Sequence, residues 1–191
     1  GPTKALFDKE LEILRTWLDK GGRAFFALDP ILKPGASDFN KGLKALLSDW
    51  YIIVNHDLVV DPTSRLLGVN ASVPIIGIYS KEHPITKDFQ VTTLFPLSST
   101  LELKPSAPGA LKIDWIAKST PKSFSKSDLK EIATGKVQLD QKKDKMGPFI
   151  VMAAVSGART GNEKPEKPSK LIVMSSSQVG ANRWLGHGAN L

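Results

Sequence analysis

The segment Gly21–Pro30, Gly-Gly-Arg-Ala-Phe-Phe-Ala-Leu-Asp-Pro, constrains this chain more than any other. It follows a stretch in which Leu11, Leu14 and Leu18 recur at helical spacing, with Ile13 and Trp17 beside them. Two glycines stop that helix, because glycine takes the left-handed cap conformation at little cost. Arg23 to Leu28 then reads as a buried central strand, with Asp29 at its carboxyl end and Pro30 blocking its continuation. Ligands of open α/β sheets gather beyond the carboxyl ends of strands, which makes Asp29 the first candidate site residue.

The rest of the first half continues the pattern. Ser37 or Asp38 caps a second helix whose apolar face is Phe39, Leu43, Leu46, Leu47 and Trp50. Strands are predicted at Tyr51–Val54 and Val73–Tyr79, then over much of Val91–Leu103, Gly109–Ala117, Pro148–Val155 and Leu171–Met174. Ser125 to Asp128 has capping-box spacing before a short helix that Gly135 ends. A truncated helix starts at Arg183-Trp184-Leu185. This order argues for one α/β domain over residues 1–191, with a mostly parallel sheet, helices on both faces and a β-rich second half. The Gly-, Pro- and Lys-rich stretch from Gly157 to Ser169 reads as a surface loop inside that domain.

The net charge of +7 is carried mostly by Lys, crowded between Lys112 and Lys145. That segment has no Arg and only Trp115 and Phe124 as aromatics, so it lacks the forks and stacking platforms of a nucleic-acid reader. It reads as a solvated lysine face, or one attracted to anionic lipid. No apolar run approaches the length of a membrane span. The chain opens at Gly1 without Met and closes as a helix gets under way, so it is read as a piece of a longer protein.

Cysteine is absent, which removes thiolate catalysis and cysteine metal sites. There is no GxGxxG, GxxxxGK[ST] or GxSxG, so no phosphate loop or nucleophile elbow is expected, and no cofactor. His56, His83 and His187 lack a second His at ligand spacing; His56 with Asp57 and Asp61 offers one nitrogen and two carboxylates, a set that more often bonds loop backbone than a metal. His83 precedes Pro84 in a polar connection, Ser80 to Thr86, that reads as a rigid link after a strand. Ser176, in the turn after the last strand, could lie at a helix start suited to an anion or a nucleophile. The candidate ligand-binding set is therefore Asp29, His56, Asp61, Tyr79, His83 and Ser176, with Asp29 expected in a strand-end cleft beside His56 or Tyr79.

These residues carry a family resemblance. Gly1-Pro2, the helix end Trp17-Leu18-Asp19-Lys20-Gly21-Gly22-Arg23, Leu28-Asp29-Pro30, Gly42 to Leu47 and Val59-Val60-Asp61-Pro62 form its first part. Tyr79 to Thr86, Asp144-Lys145-Met146-Gly147-Pro148 and the final strand leading to Asn182 complete it. In order and spacing they resemble the extracytoplasmic domain of the gliding-motility-type auxiliary component of ABC transporters. That resemblance implies a three-layer α/β sandwich like that of class I glutamine amidotransferases (flavodoxin-like) and the related intraflagellar-transport domain. Such amidotransferases need a Cys nucleophile, which this chain lacks. Family members carry acidic residues where Ser175 to Ser177 stand here, so an acidic site is not carried over.

The resemblance further implies a parent anchored in the inner membrane, with this domain in the periplasm or extracytoplasmic space. The function expected is non-catalytic binding, with permease, ATPase or envelope proteins, or a carbohydrate-like ligand, as partners. An unconventional hydrolase using Asp29, His56 or Ser176, and a structural spacer, are the alternatives.

Overall fold

The computed structural model describes residues 4–105, 111–134, 137–159 and 166–184. The expectations resting on Gly1-Pro2, Gly135, Leu185 and His187 lie outside those residues. The chain runs α1 (Asp8–Asp19), β1 (Arg23–Ala27), α2 (Lys41–Asp49), β2 (Ile52–Val54), β3 (Leu58–Val60), a 3-10 turn (Pro62–Leu67) and β4 (Ile75–Tyr79). It continues with β5 (Thr93–Leu94), β6 (Leu101–Leu103), β7 (Leu111–Ser119), β8 (Phe124–Lys126), α3 (Leu129–Ala133), β9 (Lys145–Met146), β10 (Ile150–Gly157) and β11 (Ser169–Met174). Two 3-10 turns, Gln178–Gly180 and Asn182–Trp184, stand where a helix was expected to start.

The predicted parallel, flavodoxin-like sandwich is not what these strands build. The large sheet runs β1-β11-β10-β7-β4-β5, with β6 joining β10 to β2. Only β1 and β11 are parallel; every other pair in it is antiparallel. A second, wholly antiparallel sheet is ordered β3-β8-β9. Strand residues outnumber helical ones and their pairing is almost wholly antiparallel, so neither a doubly wound fold nor the amidotransferase sandwich describes it. The physical reason is in the connections. Parallel neighbours need long crossovers, usually helical. After α2 the described chain offers only α3, a helix of five residues, and the strands from β2 onward pair antiparallel with one another.

The helical layer forms as predicted. Gly21 takes φ 93°, the left-handed conformation that ends α1. Leu18 of α1 and Leu43, Leu46, Leu47 and Trp50 of the α2 region pack on Ile52, Leu101, Ala153, Val155, Leu171 and Val173. The opposite face is covered over part of its length by β3: Val59 packs with Ile76, Tyr79, Phe95, Ala117, Val151 and Met174. Leu58, Val60, Ala71 and Phe124 form a third cluster within the small sheet.

One expectation fails on burial. β1 is an edge strand rather than a central one, and its Phe25 is 56% exposed. Trp17 is 45% exposed, with its ring laid over Gly22, where an added Cβ would sit 2.6 Å from it. Asp128 itself caps α3, accepting from the Lys130 and Glu131 amides, while Ser125 lies in β8.

Candidate functional site

β2 belongs to the large sheet and β3 to the small one, so Asn55, His56 and Asp57 must cross the junction between them. β6 runs antiparallel to β2 with Leu101 opposite Val54, which sets Thr100 against this linker. The Asn55 amide donates to the Thr100 carbonyl at 3.0 Å. The Asn55 side chain donates to Thr100 Oγ1 at 2.9 Å and to Glu102 Oε1 at 3.0 Å. The Thr100 amide and hydroxyl donate to the two Asp57 carboxylate oxygens at 2.8 and 2.7 Å.

A cleft of about 290 Å³ opens at this junction. Its first wall is the Asn55–Asp57 linker with Thr100 and Glu102; Ser125, Ser127, Lys143 and Lys145 face it, and Leu101 and Phe149 add apolar surface. Burial pushes the Asp57 carboxyl above its ordinary range; the two Thr100 hydrogen bonds oppose this, Glu102 adds to it and Lys145 works against it.

The Lys-bearing wall is held by a buried ion cluster. Lys126 of β8 is 1% exposed, and its ammonium meets Glu131 at 2.5 Å, Asp144 at 3.1 Å and the Gln138 carbonyl at 3.0 Å. Burial works to lower the Lys126 pKa, but the Glu131 and Asp144 carboxylates outweigh it and hold the ammonium above its usual range. Asp144 also accepts from the Asp140 amide at 2.8 Å, which curls the loop carrying Lys143 and Lys145. Gly147 then passes so close to the turn before β8 that a Cβ would lie 2.4 Å from Ser123 Oγ and 2.6 Å from the Thr120 carbonyl. The run Asp144 to Pro148 is therefore a structural clasp for one wall of the cleft.

Of the six predicted site residues, the structure places only His56 in this cleft, at an exposed position. Asp29 lies at the end of β1, as expected, but lines neither of the two clefts described; it accepts from the Ser177 amide at 2.7 Å and hydroxyl at 2.5 Å, and from Gln178 Nε2 at 3.4 Å. Asp61 is fully buried and caps the 3-10 turn, taking Thr63 and Thr120 hydroxyls at 2.5 and 2.9 Å. Tyr79 bonds the Ile76 carbonyl and Thr93 and stacks edge-on against Phe89 at 4.8 Å; burial raises its phenol pKa, against the Thr93 bonds. Ser176 is fully buried and donates to the Pro96 carbonyl at 2.5 Å.

His83 lines a second cleft on the large sheet, and its Nδ1 accepts the Ile85 amide at 3.3 Å. Thr86 Oγ1 bonds the Ser80 carbonyl at 2.8 Å, so this connection is rigid in the way its sequence predicts. His56, Asp57 and Asp61 do not converge, and no group of three metal-ligating side chains occurs among the described residues. Asp57, Thr100, Glu102 and Lys145 escape sequence reading as a set. The polar triplet Asn55-His56-Asp57 after a short strand is the one local signal; its partners lie more than 40 residues away.

The family model described as "ABC-type uncharacterized transport system" matches residues 1–190. No curated protein matches the chain. Among solved structures, a chain described as "mmIFT52 N-terminal domain" superposes with a TM-score of 0.64 at 18% identity, over 100% of this chain and 69% of its own length. At that identity the likeness is one of fold, and it agrees with the β-rich architecture.

Proposed function

Since the chain belongs to the family of auxiliary components of an ABC-type transport system, we propose that it is a non-catalytic binding module, carried by a membrane-anchored parent of the gliding-motility type and facing the extracytoplasmic space. Its protein partners are the permease and ATPase of the system, or envelope proteins. Its small-molecule ligand is carbohydrate-like and occupies the cleft between the two sheets.

One observation carries the ligand reading: the cleft presents both signs of charge at once. Glu102 and the buried Asp57 supply carboxylate acceptors, while Lys143 and Lys145 supply ammonium donors, the Lys145 ammonium lying 4.0 Å from Glu102. A bare anion would meet two carboxylates and a bare cation two ammonium groups. A polyol hydroxyl both donates and accepts, so each lining group finds its complement. Leu101 and Phe149 offer apolar surface to the C–H face of a sugar ring. The hydrolase alternative draws no support from the candidate nucleophile: the Ser176 hydroxyl is committed to the Pro96 carbonyl.

The transport reading is tested by affinity isolation of the full parent chain from detergent-solubilised membranes. Recovery of an ABC ATPase and a permease in fixed ratio is expected. Recovery of the parent without either would count against it.

A further inference from the structure

The register of the large sheet places three cations on one rung. Arg23 of β1 pairs with Lys170 of β11, Lys170 with Ser156 of β10, and Ser156 with Lys112 of β7. The next rung, Ala24, Leu171, Val155 and Ile113, faces the helical layer, so the cationic rung points the other way. Two residues along from Arg23, on that same outer face, comes the rung Phe25, Ile172, Ala154 and Asp114. A basic row thus lies beside a mainly apolar row, separated by roughly 6.7 Å along the strands.

Among the described residues this face is less covered than the one under the helices. Phe25 is 56% exposed, and Ile85 from the connection after β4 is 49% exposed. His83, Pro84 and Ile85 overhang the sheet there and leave a groove of about 280 Å³ whose floor includes Ile172 and Ala154 and whose rim includes Lys112 and Lys170. Asp114 pairs with Lys112 at 3.3 Å. Among the described residues neither Arg23 nor Lys170 has an ion-pair partner. Neighbouring strands stand about 4.8 Å apart, so Arg23 and Lys170 repel each other until an anion joins them.

We propose that this groove, together with the edge strand β1 beside it, is a docking site for an extended acidic segment of a partner protein, with an apolar side chain seated on Ile172 and the neighbouring Phe25 near Ile85 and a carboxylate two residues away on Lys170 and the neighbouring Arg23. In an extended segment, residues i and i+2 share a face and have the same spacing as the two rungs. Charge complementarity fixes the acidic character of the segment, and the overhanging connection fixes its shape: a flat lipid surface cannot enter beneath it. The site goes beyond the transport reading by naming the surface that meets a protein. It is tested without the transporter, so its failure would leave that reading standing.

The probe is a fluorescent, end-capped peptide Ser-Glu-Ser-Ile-Ser-Glu-Ser, titrated with the purified chain, beside the same peptide with Lys for Glu. The acidic peptide should saturate, shift the amide resonances of Phe25, Ile172, Lys170 and Ile85, and weaken at least ~10-fold with Lys170→Glu or Phe25→Ser. Leu66→Ser, an exposed apolar position elsewhere, should leave its affinity unchanged. Equal binding of the two peptides, insensitivity to Lys170→Glu, or the absence of saturable binding would overturn the proposal. So would charge-dependent binding to anionic phosphatidylglycerol vesicles without peptide binding, or self-association blocked by Phe25→Ser.

Discussion

Asp57 and Thr100, 43 residues apart in sequence, are joined by two hydrogen bonds of 2.8 and 2.7 Å that fasten the inter-sheet linker to the approach to β6. The pair closes one wall of the cleft between the sheets, and it keeps a carboxylate there at a cost in desolvation.

That cost predicts a pH dependence. Asp57 has a raised pKa, chiefly through burial. Protonation is therefore easier in the folded chain than in the unfolded one. The resulting stability is fully present below the ordinary value of 3.8 and is lost as pH rises through the higher folded value. Asp57→Asn keeps an acceptor for the Thr100 amide and should flatten this part of the stability profile, with a change within about 1 kcal/mol at neutral pH. Asp57→Ala orphans the Thr100 amide and should cost about 2–3 kcal/mol. Urea melts of both variants across the acid range check this.

Lys126 should behave in the opposite sense to a surface lysine. Lys126→Met leaves the buried Asp144 uncompensated and should destabilise by about 3–5 kcal/mol. The double variant Lys126→Met, Asp144→Leu should recover much of that loss. The Lys126 pKa is raised in the folded chain, so its contribution is present below 10.5 and fades only as pH climbs through the folded value. Thermal unfolding of the three proteins at neutral pH decides.

The two tryptophans of the helical layer should differ. Trp50 is fully buried, and Trp50→Ala should cost about 3–5 kcal/mol through the cavity it leaves. Trp17 is 45% exposed, and Trp17→Ala should cost about half as much or less. Denaturant midpoints give the comparison.

The absence of Cys makes the proposed location directly measurable. Leu66→Cys places a single thiol at a position 87% exposed. In intact cells bearing the full parent chain, a membrane-impermeant maleimide able to cross the outer envelope should label the variant beyond the level of the unsubstituted parent. Labelling only after the inner membrane is permeabilised would place the domain on the cytoplasmic side.

The first half of the fold was legible because its signals are local. Leu18, Leu43, Leu46 and Leu47 fall at helical spacing, and Gly21 ends α1 in the left-handed region. The sheet was not legible, since parallel and antiparallel neighbours can share the same apolar runs. Phe25 and Phe26 look equally buried in the sequence, yet both lie on the edge strand β1, where alternation packs Phe26 against the core and leaves Phe25 on the open face. Site residues failed for a related reason. Asp29, Asp61 and Ser176 have the chemistry of a site, but each is bonded to a loop by a partner up to 149 residues away. Asp57 has the same chemistry and lines a cleft, and nothing within ten residues of it separates the two outcomes.

The proposed polyol ligand of the cleft between the sheets is read out residue by residue by amide chemical-shift mapping. Titration of the labelled chain with neutral mono- and disaccharides, alongside glycine as a zwitterion and sulfate as an anion, should give saturable shifts with at least one sugar. Those shifts should centre on Asn55 to Asp57, Thr100 to Glu102, Ser127 and Lys145, and Asp57→Ala should abolish them while leaving the spectrum of a folded protein. Sugar shifts centred on Asp29 and Ser177, saturation by glycine or sulfate alone, or no saturable shift with any sugar would contradict the account.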